Sequence, residues 1–325
     1  MKARLSAAVV LDVDGVLHKG YVPIPGAREA LEREAARVPF IFVTNSGGES
    51  EEAKAARYRQ ALGWDAISPA RLVQSHTPLR GLLPRFADRL VLVVASSASA
   101  AASVMTSYGF KCYTTIQEFA RRHPYLYPSK TYDAPGGAEE EGLSPAGKKE
   151  EEESFDAIFI LDGRIEGAAG MLEAISSEEA RSDLSEHGQD EEGHLPVYLA
   201  NPDLMYADQF HMPRFTNGAF HVCLAALYKS VSGKELQSVL FGKPHRTTYE
   251  YAIQLITELA TQQGHTTPPQ RFYAVGDNPL SDIKGANGMG WTSILGPGDN
   301  DPRHPATHVC PSITGTSLLR ESGHD

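Results

Sequence analysis

The sequence predicts a two-domain α/β protein with a doubly wound, parallel core sheet. Three observations carry this. Short, uninterrupted apolar runs of strand length recur along the chain and stop at polar or glycine-containing loops. Helical patterns alternate with these runs, as in parallel sheets with crossover helices. At 325 residues and 41% hydrophobic content, the chain is long for one compact unit and comfortable for two.

The first run, residues 7–11, reads as a buried strand that ends in Asp12 and Asp14, one residue apart, followed by Gly15. Strand side chains alternate between faces, so both acids reach one pocket only if the strand stops at Asp12 and the loop redirects Asp14. Otherwise the motif is a plain turn. Pro25-Gly26 opens a helix. Residues 39–43 form a second strand that stops at Thr44-Asn45-Ser46 and two glycines, and residues 49–62 return to a helical pattern. Residues 90–94 begin a further βα unit without the glycine fingerprint of a dinucleotide site. Residues 157–161 and 197–200 are two more strands, the second ending at Asn201-Pro202-Asp203. A helix over 218–229 leads to the run before Gly242-Lys243-Pro244, and an amphipathic helix over 249–262 comes next. Residues 271–275 run into Gly276-Asp277, with Asp282 five residues on, and 291–295 close the sheet. There is no internal repeat.

Lys and Arg number 30 against 41 Asp and Glu, a formal charge of -11. That disfavours nucleic-acid binding, which needs basic surface. It leaves room for a small anionic substrate, because much of the acidity lies near 133–154 and 176–194, which read as solvated insertions. Cys112, Cys223 and Cys310 lack metal-ligand spacing and suit buried thiols in a reducing compartment. No apolar stretch approaches a membrane span, so a soluble protein is expected. The first six residues run directly into the first strand, leaving no room for a signal or transit peptide. His18, His76, His211, His221 and His245 read as structural or surface residues. His304 and His308 have helical metal spacing, but Pro302 and Pro305 argue against a helix there.

Four strand ends carry chemistry that fits together: Asp12 with Asp14, Thr44-Asn45, Lys243, and Asp277 with Asp282. If their strands are parallel neighbours, all four loops share the carboxyl edge of one sheet, where open α/β sheets bind ligands. The carboxylates offer hard oxygen ligands to Mg²⁺, and the hydroxyl, amide and turn N–H groups suit phosphate oxygens. Unit charges about 4 Å apart repel by about 4 kcal/mol at an effective dielectric near 20. Several aspartates beside a phosphate dianion therefore require a divalent cation and a lysine.

These four segments resemble, in order and spacing, the motifs of the haloacid dehalogenase (HAD) superfamily. The long interval from Asn45 to Lys243 resembles subclass IIA, with a C2-type α/β cap inserted there. Ser75 to Leu79, Ala200 to Leu204, Met212 to Phe215 and Gly276 to Trp291 resemble the cat-eye-syndrome critical-region group of hydrolases. The resemblance implies Asp12 as a nucleophile forming an aspartyl-phosphate, and Asp14 as general acid and base. It implies that Thr44, the Asn45 N–H and Lys243 bind the phosphoryl group, and that Lys243 also serves catalysis. Mg²⁺ would be held by Asp12, Asp14 (through its backbone carbonyl), Asp277 and Asp282, the last directly paired with Lys243 or ligating through water. The turn at 95–99 is less glycine-rich than the family pattern, which leaves cap contacts to substrate unassigned.

The expected division is 1–78 and 237–325 for the core and 79–236 for the cap. The expected activity is Mg²⁺-dependent hydrolysis of a small phosphorylated metabolite, a phosphomonoester, with no nucleic-acid partner and no membrane span. Two alternatives stay open: a phosphotransferase or mutase using the same aspartyl-phosphate, and a weakly active binding or scaffold protein linked to mitochondrial or glycerophospholipid metabolism. The resemblance further implies a mitochondrial setting, otherwise a cytoplasmic one, and a homodimer formed through the cap.

Overall fold

A computed structural model describes residues 7–20, 22–35, 38–123, 154–162, 194–206, 214–296 and 299–310. The two acidic insertions, apart from their ends Ser154 and His194, lie outside these residues, as does His211. The strands in chain order are β1 (Ala7–Leu11), β2 (His18–Lys19), β3 (Val22–Pro23), β4 (Phe40–Val43), β5 (Leu72–Val73), β6 (Val91–Val94), β7 (Tyr113–Thr115), β8 (Ala157–Ile160), β9 (Val197–Ala200), β10 (Met205–Tyr206), β11 (Arg214–Phe215), β12 (Val239–Phe241), β13 (Arg271–Gly276), β14 (Thr292–Leu295) and β15 (His308–Val309).

One sheet has the order β15-β14-β13-β1-β4-β5, with every pair parallel. The chain leaves β1 toward β4 and β5 on one side, and β13, β14 and β15 fill the other. The boundary between β1 and β13 is thus the switch point at which such sheets open a crevice. Every residue of β1 and β4 is buried, which explains why their sequences read as continuous apolar runs and do not alternate.

The sheet is covered on both faces, as expected of a doubly wound core. Ala7, Val9 and Leu11 pack with Tyr58, Leu62 and Trp64, whereas Ala8 and Val10 pack with Tyr249, Ala252 and Ile256. Each fully buried aliphatic side chain of this kind contributes about 1.5–3 kcal/mol of apolar burial. Helix Glu51–Leu62 begins two residues later than its pattern predicts, because Ser50 caps it by accepting from the Ala53 N–H. Gly63, in the left-handed region at φ 61°, ends it.

A second sheet has the order β12-β9-β8-β6-β7, with β6 parallel to both β7 and β8. Its core is aromatic: Phe159 meets Phe86, Phe110 and Tyr198 edge-on, with ring centres 5.4–5.8 Å apart.

The chain divides into two compact units, 1–81 with 199–219 and 240–325, and 82–198 with 220–239. Residues 199–219, expected with the inserted domain, group with the first unit. A second correction concerns β12. The strand before Lys243 was expected beside β1, β4 and β13, yet it pairs in the other sheet. A three-residue apolar run fixes a strand but not its neighbour. The expectation of buried thiols holds for Cys310 alone: Cys112 and Cys223 are exposed, Cys223 on the outer side of helix Asn217–Ser232. Where helical metal spacing was weighed at His304 and His308, His308 opens β15. Among the described residues no helix is long and apolar enough to cross a membrane.

Candidate active site

The site grows from the ends of β1 and β13. The parallel register sets Leu11 opposite Val275, so Asp12 and Gly276–Asp277 emerge side by side. The Asp12 N–H still donates to the Val275 carbonyl at 2.8 Å, after which the chain turns. Gly15 makes that turn possible. Its φ is 85°, and a Cβ there would overlap the Asp277 carboxylate. The loop thus redirects Asp14, the alternative under which the acid pair is more than a plain turn.

Asp12, Lys243 and Asp282 are almost fully buried. The Lys243 ammonium lies 2.6 Å from an oxygen of Asp12 and 2.6 Å from one of Asp282. Asp282 is fixed in turn: its second oxygen accepts from the Asn278 N–H at 3.0 Å. Tyr249 donates to the carbonyls of Ser281 and Asp282 at 3.2 and 3.3 Å, and nothing in its helical pattern distinguished it from core.

One carboxylate oxygen each from Asp12, Asp277 and Asp282 lies within 4.8 Å of the others. Three formal negative charges therefore meet a single lysine, and the electrostatics register the excess. Burial, then the Asp282 charge, pushes the Asp12 carboxyl well above its usual range against the pull of Lys243. Burial and Asp282 push Asp277 up to about 7. For Lys243, burial alone would favour the neutral amine, but Asp12 and Asp282 outweigh it and hold the ammonium firmly protonated. A set of hard oxygen donors carrying uncompensated charge fits a divalent cation.

Asp14 stands apart. Its half-exposed carboxylate accepts from the Thr44 hydroxyl at 3.3 Å and lies 3.6 Å from His18 Nδ1. It is not one of the three clustered carboxylates. Thr44 is buried, and its hydroxyl also accepts from the Ser46 N–H at 3.0 Å. Asn45 spends its side chain elsewhere. Its Nδ2 donates to Asp203 and to the Lys243 carbonyl, each at 2.8 Å, and its Oδ1 accepts from the Lys243 N–H at 2.7 Å.

The structure thus gathers Asp12, Lys243, Asp277 and Asp282 in one cluster, with Asp14 and Thr44 hydrogen-bonded to each other beside the same β1 loop. Sequence reasoning missed Asp203, His18 and Lys54 as neighbours of the site. Lys54 is a buried ammonium that donates to Ser46 Oγ at 2.6 Å. For Lys54 the only signal was a charge in a helical stretch where its neighbours predict a buried face.

A parallel sheet carrying an acidic cluster and a lysine at its switch point places charged groups where open α/β sheets bind ligands. Comparisons with known proteins resolve the class. The haloacid dehalogenase-like hydrolase model matches residues 9–111, and a HAD-hydrolase-like model matches 240–316. The chain is 30% identical over 93% of its length to a cardiolipin synthase (CMP-forming)/mitochondrial hydrolase fusion protein of Schizosaccharomyces pombe, and spans 50% of that relative. It is 28% identical to a mitochondrial hydrolase of Saccharomyces cerevisiae, over 89% of this chain and 86% of the relative. The crystal structure of a glycerol phosphate phosphatase from Mycobacterium tuberculosis in complex with magnesium superposes with a TM-score of 0.60 at 19% identity, covering 94% of this chain and 75% of the other. The chain belongs to the haloacid dehalogenase-like hydrolases.

Proposed function

We propose that this hydrolase is a Mg²⁺-dependent phosphatase of subclass IIA that cleaves a small phosphomonoester through an aspartyl-phosphate. The observation that carries this reading is the clustering of the Asp12, Asp277 and Asp282 carboxylates, two of which, Asp12 and Asp282, pair with the Lys243 ammonium, while Asp14 is not one of the three. Two carboxylates two residues apart thereby occupy different environments, as a nucleophile and a proton-transfer group require.

Asp12 attacks phosphorus through a carboxylate oxygen, and the leaving alkoxide takes a proton from Asp14. Asp14, now ionised, removes a proton from water as that water attacks the aspartyl-phosphate, and Asp12 is regenerated. Lys243 holds Asp12 by a 2.6 Å contact and offers positive charge to the transferring group. The Thr44 hydroxyl and the Asn45 N–H receive phosphoryl oxygens. Asp12, Asp277, Asp282 and the Asp14 carbonyl would hold a Mg²⁺, which would supply positive charge to keep Asp12 ionised and to neutralise the phosphate.

The phosphatase class draws support from the Mycobacterium structure, that of a glycerol phosphate phosphatase in complex with magnesium. A mitochondrial setting draws on the names of the two yeast relatives. The test is release of phosphate from p-nitrophenyl phosphate and from a panel of phosphorylated metabolites. Activity that EDTA silences and Mg²⁺ restores is expected, and metal-independent turnover would contradict the reading.

A further inference from the structure

The Asn201-Pro202-Asp203 loop is part of the first unit and is unusually well fixed. Asn201 takes φ 59°, and its Oδ1 accepts from the Asp203 N–H at 3.1 Å. The start of helix Asn217–Ser232 clamps the loop from the other side. The Gly218 N–H donates to the Asp203 carbonyl at 3.0 Å, and the Asn217 amide donates to the Ala200 carbonyl. A Cβ at Gly218 would collide with the Pro202 carbonyl, so the approach depends on glycine.

This loop holds the carboxylate of Asp203 2.8 Å from Asn45 Nδ2. The same Asn45 amide pairs with both the N–H and the carbonyl of Lys243. Gly242 is threaded between the two loops: a Cβ there would meet Pro202 Cδ at 2.8 Å and Asn45 Oδ1 at 2.9 Å. Asn45, Asp203 and Lys243 thus form one hydrogen-bonded knot of three loops remote in sequence. At the far end of Lys243, its ammonium meets Asp12 and Asp282. Two bonds join the Asn45 amide to the Lys243 backbone, and a third ties the same amide to the Asp203 loop.

We propose that Asp203 is a positioning residue for hydrolysis, holding the Asn45 amide in the orientation that grips the Lys243 backbone and so setting where the Lys243 ammonium stands. This rests on the phosphatase reading for its catalytic consequence, while the hydrogen-bonded brace can be read without turnover. Asp203 makes no ion pair with Lys243 Nζ, although its charge is felt there, and its hydrogen-bonded route to Lys243 runs through Asn45.

The experiment compares Asp203→Ala with Asp203→Asn, whose amide oxygen can still accept from Asn45. On p-nitrophenyl phosphate with Mg²⁺, Asp203→Ala is expected to lower kcat about 10- to 100-fold, the scale of a misplaced catalytic group. KM should change by less than about threefold, the pattern of an interaction felt mainly in the transition state. Asp203→Asn should stay within about threefold of wild type, and Asp203→Ala should add nothing in an Asn45→Ala background. The Lys243 backbone amide signal in ¹H–¹⁵N spectra should move in Asp203→Ala and hold in Asp203→Asn. If Asp203→Ala does not fold, Asp203→Ser, too short to reach Asn45, replaces it.

Wild-type kcat in Asp203→Ala, no rescue by asparagine, or losses that multiply with Asn45→Ala would overturn the inference. A wild-type protein that releases no phosphate, while the Lys243 signal responds as described, would reject the phosphatase reading and leave the brace standing.

Discussion

Strands β1 and β6 are built alike: both are short, wholly buried and flanked on both sides by parallel strands. They differ at their carboxyl ends. Strand β1 ends in Asp12-Val13-Asp14-Gly15, and its neighbours contribute Thr44 and Asp277 at the same edge. Strand β6 ends in Ala95-Ser96-Ser97, where Ser97 caps helix Ala98–Tyr108 by accepting from the Ala100 N–H at 3.1 Å. The same backbone device therefore yields an edge crowded with carboxylates in one sheet and a stabilised helix start in the other. Chemistry resides in the loops, and the sheet supplies only their placement.

The sharpest way to break this contrast is to remove the proposed nucleophile. Asp12→Asn keeps the shape of the β1 loop and should cut turnover of p-nitrophenyl phosphate by at least about 10⁴-fold with the fold retained in circular dichroism. Full activity would refute the assignment. Asp14→Asn should cost about 10²- to 10⁴-fold. Because Asp14 lies outside the three-carboxylate cluster, Mg²⁺ affinity measured by calorimetry should hardly change in that variant. A large loss of affinity would merge the two roles that the proposal separates.

A third test uses pH. Asp277 titrates near 7 in the folded protein against an ordinary value of 3.8. The folded state then binds its proton more tightly than the unfolded chain. Without a cation, stability should therefore fall as pH rises from the ordinary carboxylate range to about 7, and then level off. A divalent cation binds the ionised form, so the rise in Tm produced by Mg²⁺ should grow between about pH 5.5 and pH 8. A Mg²⁺ effect independent of pH would contradict the crowded-carboxylate account.

The smallest effect belongs to the second sheet. Ser97→Ala should cost about 1 kcal/mol of stability, read from denaturant unfolding, and leave turnover of a small aryl phosphate at the wild-type level. A large loss of activity would show that the loop after β6 carries more than a helix cap.

Much of this was legible in the chain. Strands β1, β4 and β13 announced themselves as continuous apolar runs, and Asp12, Asp277 and Asp282 stood out as acids at strand ends. What stayed hidden was pairing and tertiary hydrogen bonding. Nothing in Val239–Phe241 says that it joins the other sheet, since neighbour choice depends on chain segments far away. Asn45 reads as a phosphate ligand by its position, and only the fold shows its side chain consumed by Asp203 and Lys243. Asp203 stands at a strand end and in a segment that carries the family resemblance, yet neither gives it a role. His18 reads as structural, and it is buried, yet it also stands beside Asp14.

The most direct test of the central claim is a crystal structure of the protein soaked with Mg²⁺ and a phosphate mimic such as orthovanadate. One ion is expected about 2.0–2.1 Å from carboxylate oxygens of both Asp12 and Asp277, with the mimic on the Asp12 side and Lys243 in contact with it. An ion bound elsewhere, or Asp12 and Asp277 facing separate sites, would contradict the account.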